Sequence, residues 1–187
     1  MAEFNEMQTI KRHFFAMRNG AVADNMRRHG AKYRIIFGLN LPQITEIAHS
    51  TQHSCQLAEK LWQNQSTRES MLMAPMIYPR ENFNLQTAIR WISEIPSAEV
   101  ADVLCLKLLR HLDYAWQLST TFINSQKNME RYTALRLMFN LLPAHINDIK
   151  NYAIEEMKHN EPLTSLLCLQ IIDEIDFLSE DCNFNKE

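Results

Sequence analysis

The chain has 187 residues, of which 46% are hydrophobic and 22% charged, and its net charge is −3. This length suits one domain with a sizeable core, and the composition argues against disorder. Only 3 Gly and 6 Pro occur, which are few turn-forming residues for an all-β protein. No apolar run reaches the length of a membrane span, and the N-terminal segment lacks the features of a secretory signal. We therefore expect one cytoplasmic domain over residues 1–187.

Apolar residues recur at steps of three and four along the chain, which predicts helices throughout. In chain order, the predicted helices span residues 1–18, 21–29, 42–49, 54–64, 66–76, 84–94, 98–112, 114–124, 128–142, 143–157 and 162–180, with fraying expected from Asp181 to Glu187. The segment from Tyr33 to Leu41 is predicted to be a packed connection. Ser66 and Glu69 have the spacing of a capping box at the start of a helix.

These predicted helices are short and closely connected, so neighbouring helices must be antiparallel. Proline or serine marks several junctions, as at Pro42, Ser97 and Pro162. A succession of such hairpins is typical of a HEAT array. We therefore predict an all-α protein, an α-α superhelix of HEAT-like antiparallel helix pairs forming a short curved solenoid. A globular helix bundle is the alternative.

Charge is distributed unevenly along the sequence. Between residues 11 and 34, Asp24 is the single acidic residue among seven basic ones: Lys11, Arg12, Arg18, Arg27, Arg28, Lys32 and Arg34. Beyond residue 155 acidic residues dominate. A basic segment of this kind attracts phosphates, whereas the acidic end repels them. Two ordinary solvated surfaces are the other interpretation.

The four cysteines are Cys55, Cys105, Cys168 and Cys182. They are widely spaced, and we interpret them as buried, reduced thiols rather than a disulfide framework. His49 and His53 have a spacing that can hold a metal on one helix face, but neither has an adjacent Glu and no second pair occurs, so we predict no metal site. The sequence contains no glycine-rich phosphate loop, and we expect no cofactor.

Two segments together resemble a known family. The first is Met26-Arg27-Arg28-His29 followed by the stretch from Tyr33 to Pro42, and the second is the stretch from Leu57 to Trp62 followed by Arg68-Glu69. Their order and spacing are similar to those of the DNA alkylation repair family of HEAT-like glycosylases, of the AlkD type. The resemblance covers roughly residues 8–178. It implies a basic, concave, helix-lined cleft that binds duplex DNA and hydrolyses the glycosidic bond of alkylated purines without a metal.

The resemblance also implies roles for particular residues. Asp102 corresponds to the carboxylate that stabilises the cationic sugar, with Glu99 as the preceding acid. Arg131 corresponds to the arginine that binds a DNA phosphate. Separately from the resemblance, the charge pattern predicts further DNA contacts at Arg27, Arg28, Lys32 and Arg34. Asp102 and Arg131 also have structural interpretations: Asp102 as a partner of a neighbouring repeat, and Arg131 as a partner of Glu99, Asp102 or Glu130.

The sequence departs from the family at aromatic positions that face a cationic base. Ala98 stands where the first cleft aromatic is expected, and Gln170 is near the position of the second. Thr45 replaces an expected arginine, and the chain is shorter at its C-terminus. Trp62, Trp91 and Trp116 are predicted to be core residues, although one of them could face the cleft instead. Two functions therefore stay open: a DNA-binding repair protein, or a non-catalytic scaffold that binds a protein or peptide partner.

Overall fold

The computed structural model describes residues 6–184, which form eleven α-helices and no β-strand. The helices are α1 Glu6–Ala16, α2 Gly20–Arg28, α3 Leu41–His49, α4 Cys55–Gln63, α5 Arg68–Ile77, α6 Leu85–Ser93, α7 Ala98–Lys107, α8 Ala115–Phe122, α9 Asn128–Asn140, α10 Ile146–Met157 and α11 Pro162–Phe184. The prediction of an all-α protein with about eleven helices is confirmed. Residues 1–5 of the first predicted helix and residues 185–187 of the frayed end lie outside the described residues.

Several helix boundaries differ from the prediction. The helix predicted for residues 98–112 ends at Lys107 and is followed by a 3₁₀ turn, Leu109–His111. The helix predicted from Pro143 begins at Ile146, because His145 adopts a left-handed conformation with φ 57°. α11 continues past Asp181 to Phe184. α5 begins at Arg68, two residues later than predicted, and contains Pro75 in its interior. α5 is buried along almost its whole length, so its packing compensates for the backbone hydrogen bond that proline cannot donate.

The described residues form two compact units that divide between Phe83 and Asn84. In the first unit α4 packs against α5, α3 packs on α5, and α1 contacts α3 and α4. Its core contains the fully buried side chains of Phe14, Leu61 and Trp62. The single helical-repeat domain expected over residues 1–187 stays a prediction.

The connection between α2 and α3 is held by two buried charged residues at the start of α5. Glu69 accepts backbone hydrogen bonds from Phe37 (3.1 Å) and Gly38 (3.0 Å). Arg68 donates to the carbonyl of Leu39 (2.9 Å) and to Glu69 (3.0 Å). The two sequence segments that resemble the repair family are therefore joined directly, at a buried ion pair.

The capping box predicted for Ser66 and Glu69 is wrong. The residue that caps α5 is Thr67, without a side-chain capping hydrogen bond. Glu69 does not turn back onto its own helix because its carboxylate bonds to the α2–α3 connection. The same connection forms an isolated parallel bridge between Ile35 and Thr67. The segment from Tyr33 to Leu41 therefore pairs with the rest of the chain at one isolated bridge and does not form a strand.

In the second unit α9 is the central helix. It packs against α7, α8, α10 and α11. Its side chains are consequently buried on most sides, including Leu135 and Met138 on the apolar stripe and the polar residues Glu130, Arg131 and Thr133. Cys105 and Cys168 are buried, free thiols as predicted, whereas Cys55 is half-buried. The polar side chains of α9 therefore point into contacts with specific neighbours.

Candidate functional site

Asp102 lies on α7 and faces two side chains of α9. The hydroxyl of Tyr132 donates a hydrogen bond to Asp102 Oδ1 at 2.9 Å, and Arg136 Nε lies 2.7 Å from the same oxygen as an ion pair without hydrogen-bond alignment. Arg136 also donates to the Tyr132 hydroxyl at 3.2 Å. The Asp102 side chain remains 42% exposed. The carboxylate is therefore anchored through one oxygen and still accessible from solvent.

The charges of this cluster largely compensate each other. Burial alone would lower the pKa of Arg136, but the hydrogen bond with Tyr132 and the charge of Asp102 outweigh it and raise the pKa. Burial, assisted by the Asp102 charge, raises the pKa of Tyr132 despite the opposing guanidinium. Arg136 therefore stays cationic and Tyr132 stays a neutral donor at neutral pH. A carboxylate paired in this way exerts a weaker field on another cation than an unpaired one does.

The sequence did not identify Arg136 or Tyr132 as site residues. Their separation by four residues places them on one face of α9, and this spacing was the available signal. It was not sufficient, because the spacing does not show which face of α9 meets α7. The contact between Asp102 and Arg136 matches the structural interpretation of Asp102 as the partner of a neighbouring helix's arginine.

Arg131 projects from another side of α9 and forms a separate cluster. Its Nε donates to both carboxylate oxygens of Glu156, at 3.0 and 3.1 Å, and its terminal nitrogens donate to the Ser125 carbonyl and the Asn128 side chain. Glu156 on α10 was not among the partners considered for Arg131, which were Glu99, Asp102 and Glu130. The arginine also lines a cavity of about 450 Å³ together with His159.

Glu156 is the buried centre of this second cluster. It accepts hydrogen bonds from Arg131 and from the Thr164 hydroxyl at 2.9 Å, and His159 Nδ1 lies 2.9 Å from its other oxygen. Burial alone would raise the pKa of Glu156, but the hydrogen bonds from His159, Arg131 and Thr164 outweigh it and lower the pKa. Arg131 therefore ties α9 to α10, and Glu156 extends the cluster to Thr164 on α11.

The predicted DNA-binding residues of the first unit are all exposed. Arg27 and Arg28 lie in the last turn of α2, and Lys32 and Arg34 follow in the connection to α3. Arg27 forms an ion pair with Asp24 at 3.0 Å, at the surface. Within residues 6–179, no carboxylate pairs with Arg28, Lys32 or Arg34. We call Arg27, Arg28, Lys32 and Arg34 the basic segment.

The three tryptophans differ in their exposure to solvent. Trp62 and Trp91 are completely buried, as predicted for core residues. Trp116 is half-buried and stacks on His145, with ring centroids 4.0 Å apart and planes at 8°. In the Asp102 cluster, the Arg136 guanidinium lies 5.8 Å from the centroid of the Tyr132 ring and 5.6 Å from that of the Phe139 ring.

His49 and His53 do not share a helix face, because α3 ends at His49. Among the residues that the structure describes, no group of three His, Cys, Asp or Glu side chains is arranged to hold a metal ion. In the same part of the chain, no helix combines the length and apolar character needed to cross a membrane.

Helix pairs with short connections, packed in succession, define a HEAT-like helical-repeat protein. One solved structure with this fold is described as "A new family of proteins related to the HEAT-like repeat DNA glycosylases with affinity for branched DNA structures". The TM-score is 0.77 at 17% identity, over 88% of this chain and 73% of that one. At this identity the likeness concerns the fold alone.

The sequence profile of the DNA alkylation repair enzyme family matches residues 10–165. The chain therefore belongs to this family, as the two motif segments predicted. No curated protein matches the sequence significantly.

Proposed function

We propose that this protein binds DNA and that the basic segment supplies the principal contacts with the phosphate backbone. The support is the separation of charge between the two units. Residues 1–83 contain ten Lys and Arg against seven Asp and Glu, whereas residues 84–187 contain nine against fifteen. The first unit thus carries a net charge of +3 and the second a net charge of −6. Phosphates are attracted to the first unit and repelled by most of the second.

The geometry of the basic segment suits backbone contacts. Its side chains are exposed and long, and three of them have no competing carboxylate within the described residues. Arginine and lysine side chains that contact phosphates release counterions from the DNA. The logarithm of the binding constant therefore falls linearly with the logarithm of the salt concentration. Such contacts provide affinity without sequence preference.

A salt titration with a fluorescent duplex tests this proposal. We expect measurable affinity at low salt and a steep loss of affinity as salt rises. The variant with all four residues of the basic segment replaced by Gln should bind more weakly, and its salt slope should be shallower by about 1 for each lost phosphate contact. The matched control is Lys60→Gln with Arg80→Gln, two exposed basic residues of the same unit. The control should keep the wild-type slope.

A branched junction of the same length and composition extends the experiment, because the solved structure with the same fold belongs to proteins with affinity for branched DNA. Tighter binding of the junction than of the duplex would assign that preference to this chain. If neither probe binds at low salt, the DNA-binding proposal is wrong and the protein-binding scaffold remains.

Hydrolysis of the glycosidic bond of alkylated purines is a second candidate function. It is supported by the exposed carboxylate of Asp102, which Tyr132 and Arg136 hold in a fixed position. In such a reaction the carboxylate would stabilise the developing sugar cation. The adjacent guanidinium and the alanine at position 98 both weaken that stabilisation, and for this reason we place DNA binding before catalysis.

The catalytic candidate is tested by measuring release of 7-methylguanine from alkylated duplex DNA. Asp102→Asn should abolish release while DNA affinity is retained, since Asp102 is not part of the basic segment. Asp113→Asn, at an exposed aspartate outside the cluster, is the control. Absence of release by the wild-type protein, or equal release by Asp102→Asn, would remove the enzymatic function and leave DNA binding untouched.

A further inference from the structure

The most exposed large apolar side chains of the described residues lie on the first and the last helix. Among the large apolar side chains of the described residues, the four most exposed are Leu166 (65%), Phe177 (59%), Phe15 (56%) and Leu169 (46%). Phe15 lies on α1, and the other three lie on α11. In a helical-repeat protein each repeat covers the apolar face of its neighbour, and an end repeat ordinarily presents a polar outer face. On α1 and α11, exposed large apolar side chains interrupt that polar surface.

The exposed residues of α11 form one continuous stripe. Leu166, Leu169, Asp173 and Phe177 are separated by three, four and four residues, a spacing that aligns them along one side of a helix. The exposed carboxylate of Glu174 lies beside this stripe. We call Leu166, Leu169, Asp173 and Phe177, together with the adjacent Glu174, the α11 stripe. Its surface is apolar with acidic side chains.

The outer side of α1 has the opposite charge. Lys11 and Phe15 are four residues apart and both are exposed, whereas Ile10 and Phe14 face the core. The Arg18 guanidinium lies 3.8 Å from the centroid of the Phe15 ring. We call Lys11, Phe15 and Arg18 the α1 stripe. It is apolar at its centre and basic at both ends.

We propose that copies of this protein associate head to tail, with the α11 stripe of one copy packed against the α1 stripe of the next. The occupant of each stripe is thus a second copy of this chain. Apolar side chains would pack at the centre, and Lys11 and Arg18 would lie close to Asp173 and Glu174. Packing two α11 stripes against each other would instead bring like charges together, which disfavours a symmetric contact. The contact continues across two copies the side-by-side packing of helices found within a repeat array.

A head-to-tail contact is heterologous, so it leaves one free stripe at each end of an assembly. Wild-type protein should therefore form dimers and then larger species as its concentration rises in sedimentation velocity. Because the two stripes carry opposite charge, raising the salt concentration from low to high should weaken the association, by about tenfold. These measurements are made without DNA, so they do not depend on the proposed DNA binding.

Two complementary variants test the geometry. Leu166→Lys with Phe177→Lys removes the α11 stripe, and Lys11→Glu with Phe15→Glu removes the α1 stripe. Each variant alone should be monomeric. An equimolar mixture should form a heterodimer that does not grow further, because each copy retains the stripe that the other lacks. Circular dichroism and thermal midpoints close to those of the wild type confirm that both variants are folded.

A control variant, Gln52→Lys with Glu81→Lys, changes exposed residues outside both stripes and should associate like the wild type. A wild-type protein that stays monomeric at all concentrations overturns the proposal. A mixture of the two stripe variants that forms no heterodimer also overturns it. If only one of the two variants loses association, the contact is symmetric and the head-to-tail arrangement is wrong. If either stripe variant does not fold, the single substitutions Phe177→Lys and Phe15→Glu are mixed instead, with the same expected heterodimer.

Discussion

The carboxylate of Glu69 accepts a hydrogen bond from the backbone N–H of Gly38 at 3.0 Å, across 31 residues of sequence. This bond joins the start of α5 to the connection between α2 and α3. Arg68, beside Glu69, is also buried and donates to the Leu39 carbonyl. The Glu69 side chain is completely buried, and the Arg68 side chain is almost completely buried. In the first unit, this buried ion pair therefore connects α5 to the α2–α3 connection, and each charge neutralises the other.

Substituting Glu69 should destabilise the protein strongly. Glu69→Ala leaves the Arg68 guanidinium buried without its carboxylate and two backbone N–H groups without an acceptor. A broken buried pair of this kind costs about 3–5 kcal/mol. Chemical denaturation would measure this loss in the free energy of unfolding. Glu81→Ala, at an exposed residue of the same unit, should stay within about 0.5 kcal/mol of the wild type. A small effect of Glu69→Ala would mean that the pair is not buried as described.

Gly38 cannot be replaced without displacing the backbone around it. Its φ is +80°, and a Cβ at this position would lie 2.2 Å from the Asn19 carbonyl oxygen and 2.9 Å from the Ala23 nitrogen. Both neighbours are backbone atoms, which cannot rotate away. We expect Gly38→Ala to lower the unfolding free energy by more than the ~1 kcal/mol of a left-handed alanine.

Gly20 provides the matched control for this prediction. It is the first residue of α2, and a Cβ there would have no atom within 4 Å. Gly20→Ala should be neutral or stabilising by up to about 1 kcal/mol, because alanine favours the helix and restricts the unfolded chain. Equal effects of the two substitutions would contradict the close packing at Gly38.

The Glu156 cluster should make stability depend on pH in the acidic range. The pKa of Glu156 in the folded protein is lowered from its ordinary value of 4.5. The unfolded state therefore binds the proton more readily, so the stabilisation is complete above pH 4.5 and is lost as the pH falls below it. Glu156→Gln cannot titrate at this position. The difference in unfolding free energy between wild type and Glu156→Gln should be largest near neutral pH and should shrink below pH 4.5.

Glu155→Gln is the control for the pH experiment. Glu155 is adjacent in sequence but exposed, and it pairs at the surface with Lys158. Exposed pairs contribute about 0–1 kcal/mol, so this variant should follow the wild-type pH profile. A constant difference between wild type and Glu156→Gln from pH 3 to pH 7 would show that Glu156 acts through packing alone.

The buried cysteines should be unreactive in the native protein. Burial raises the pKa of Cys168 to about 12 and raises the pKa of Cys105 further, so neither forms a thiolate at neutral pH. In a background with Cys55→Ser and Cys182→Ser, a thiol reagent should label the folded protein only as fast as it unfolds. Addition of denaturant should expose both thiols. Rapid labelling without denaturant would contradict the burial of Cys105 and Cys168.

The helical composition and the family of this protein follow from its sequence alone. Apolar spacing determines which residues can form a helix with one buried face, and proline, glycine and capping side chains locate most of the ends. The motif containing Gly38 and the motif containing Arg68 and Glu69 lie close enough in sequence to be recognised together. The excess of basic residues between residues 11 and 34, with Asp24 as the one acid, is likewise a property of the sequence.

The partners of the polar side chains were decided only by the tertiary structure. Glu69 has the spacing of a helix cap, yet it bonds to a segment about thirty residues earlier. Arg131 and Arg136 lie on the same helix, but α7 meets the face with Arg136 and α10 meets the face with Arg131. Local sequence determines the direction of a side chain relative to its own helix. It does not determine which other helix lies in that direction, because that depends on how all the apolar faces pack together.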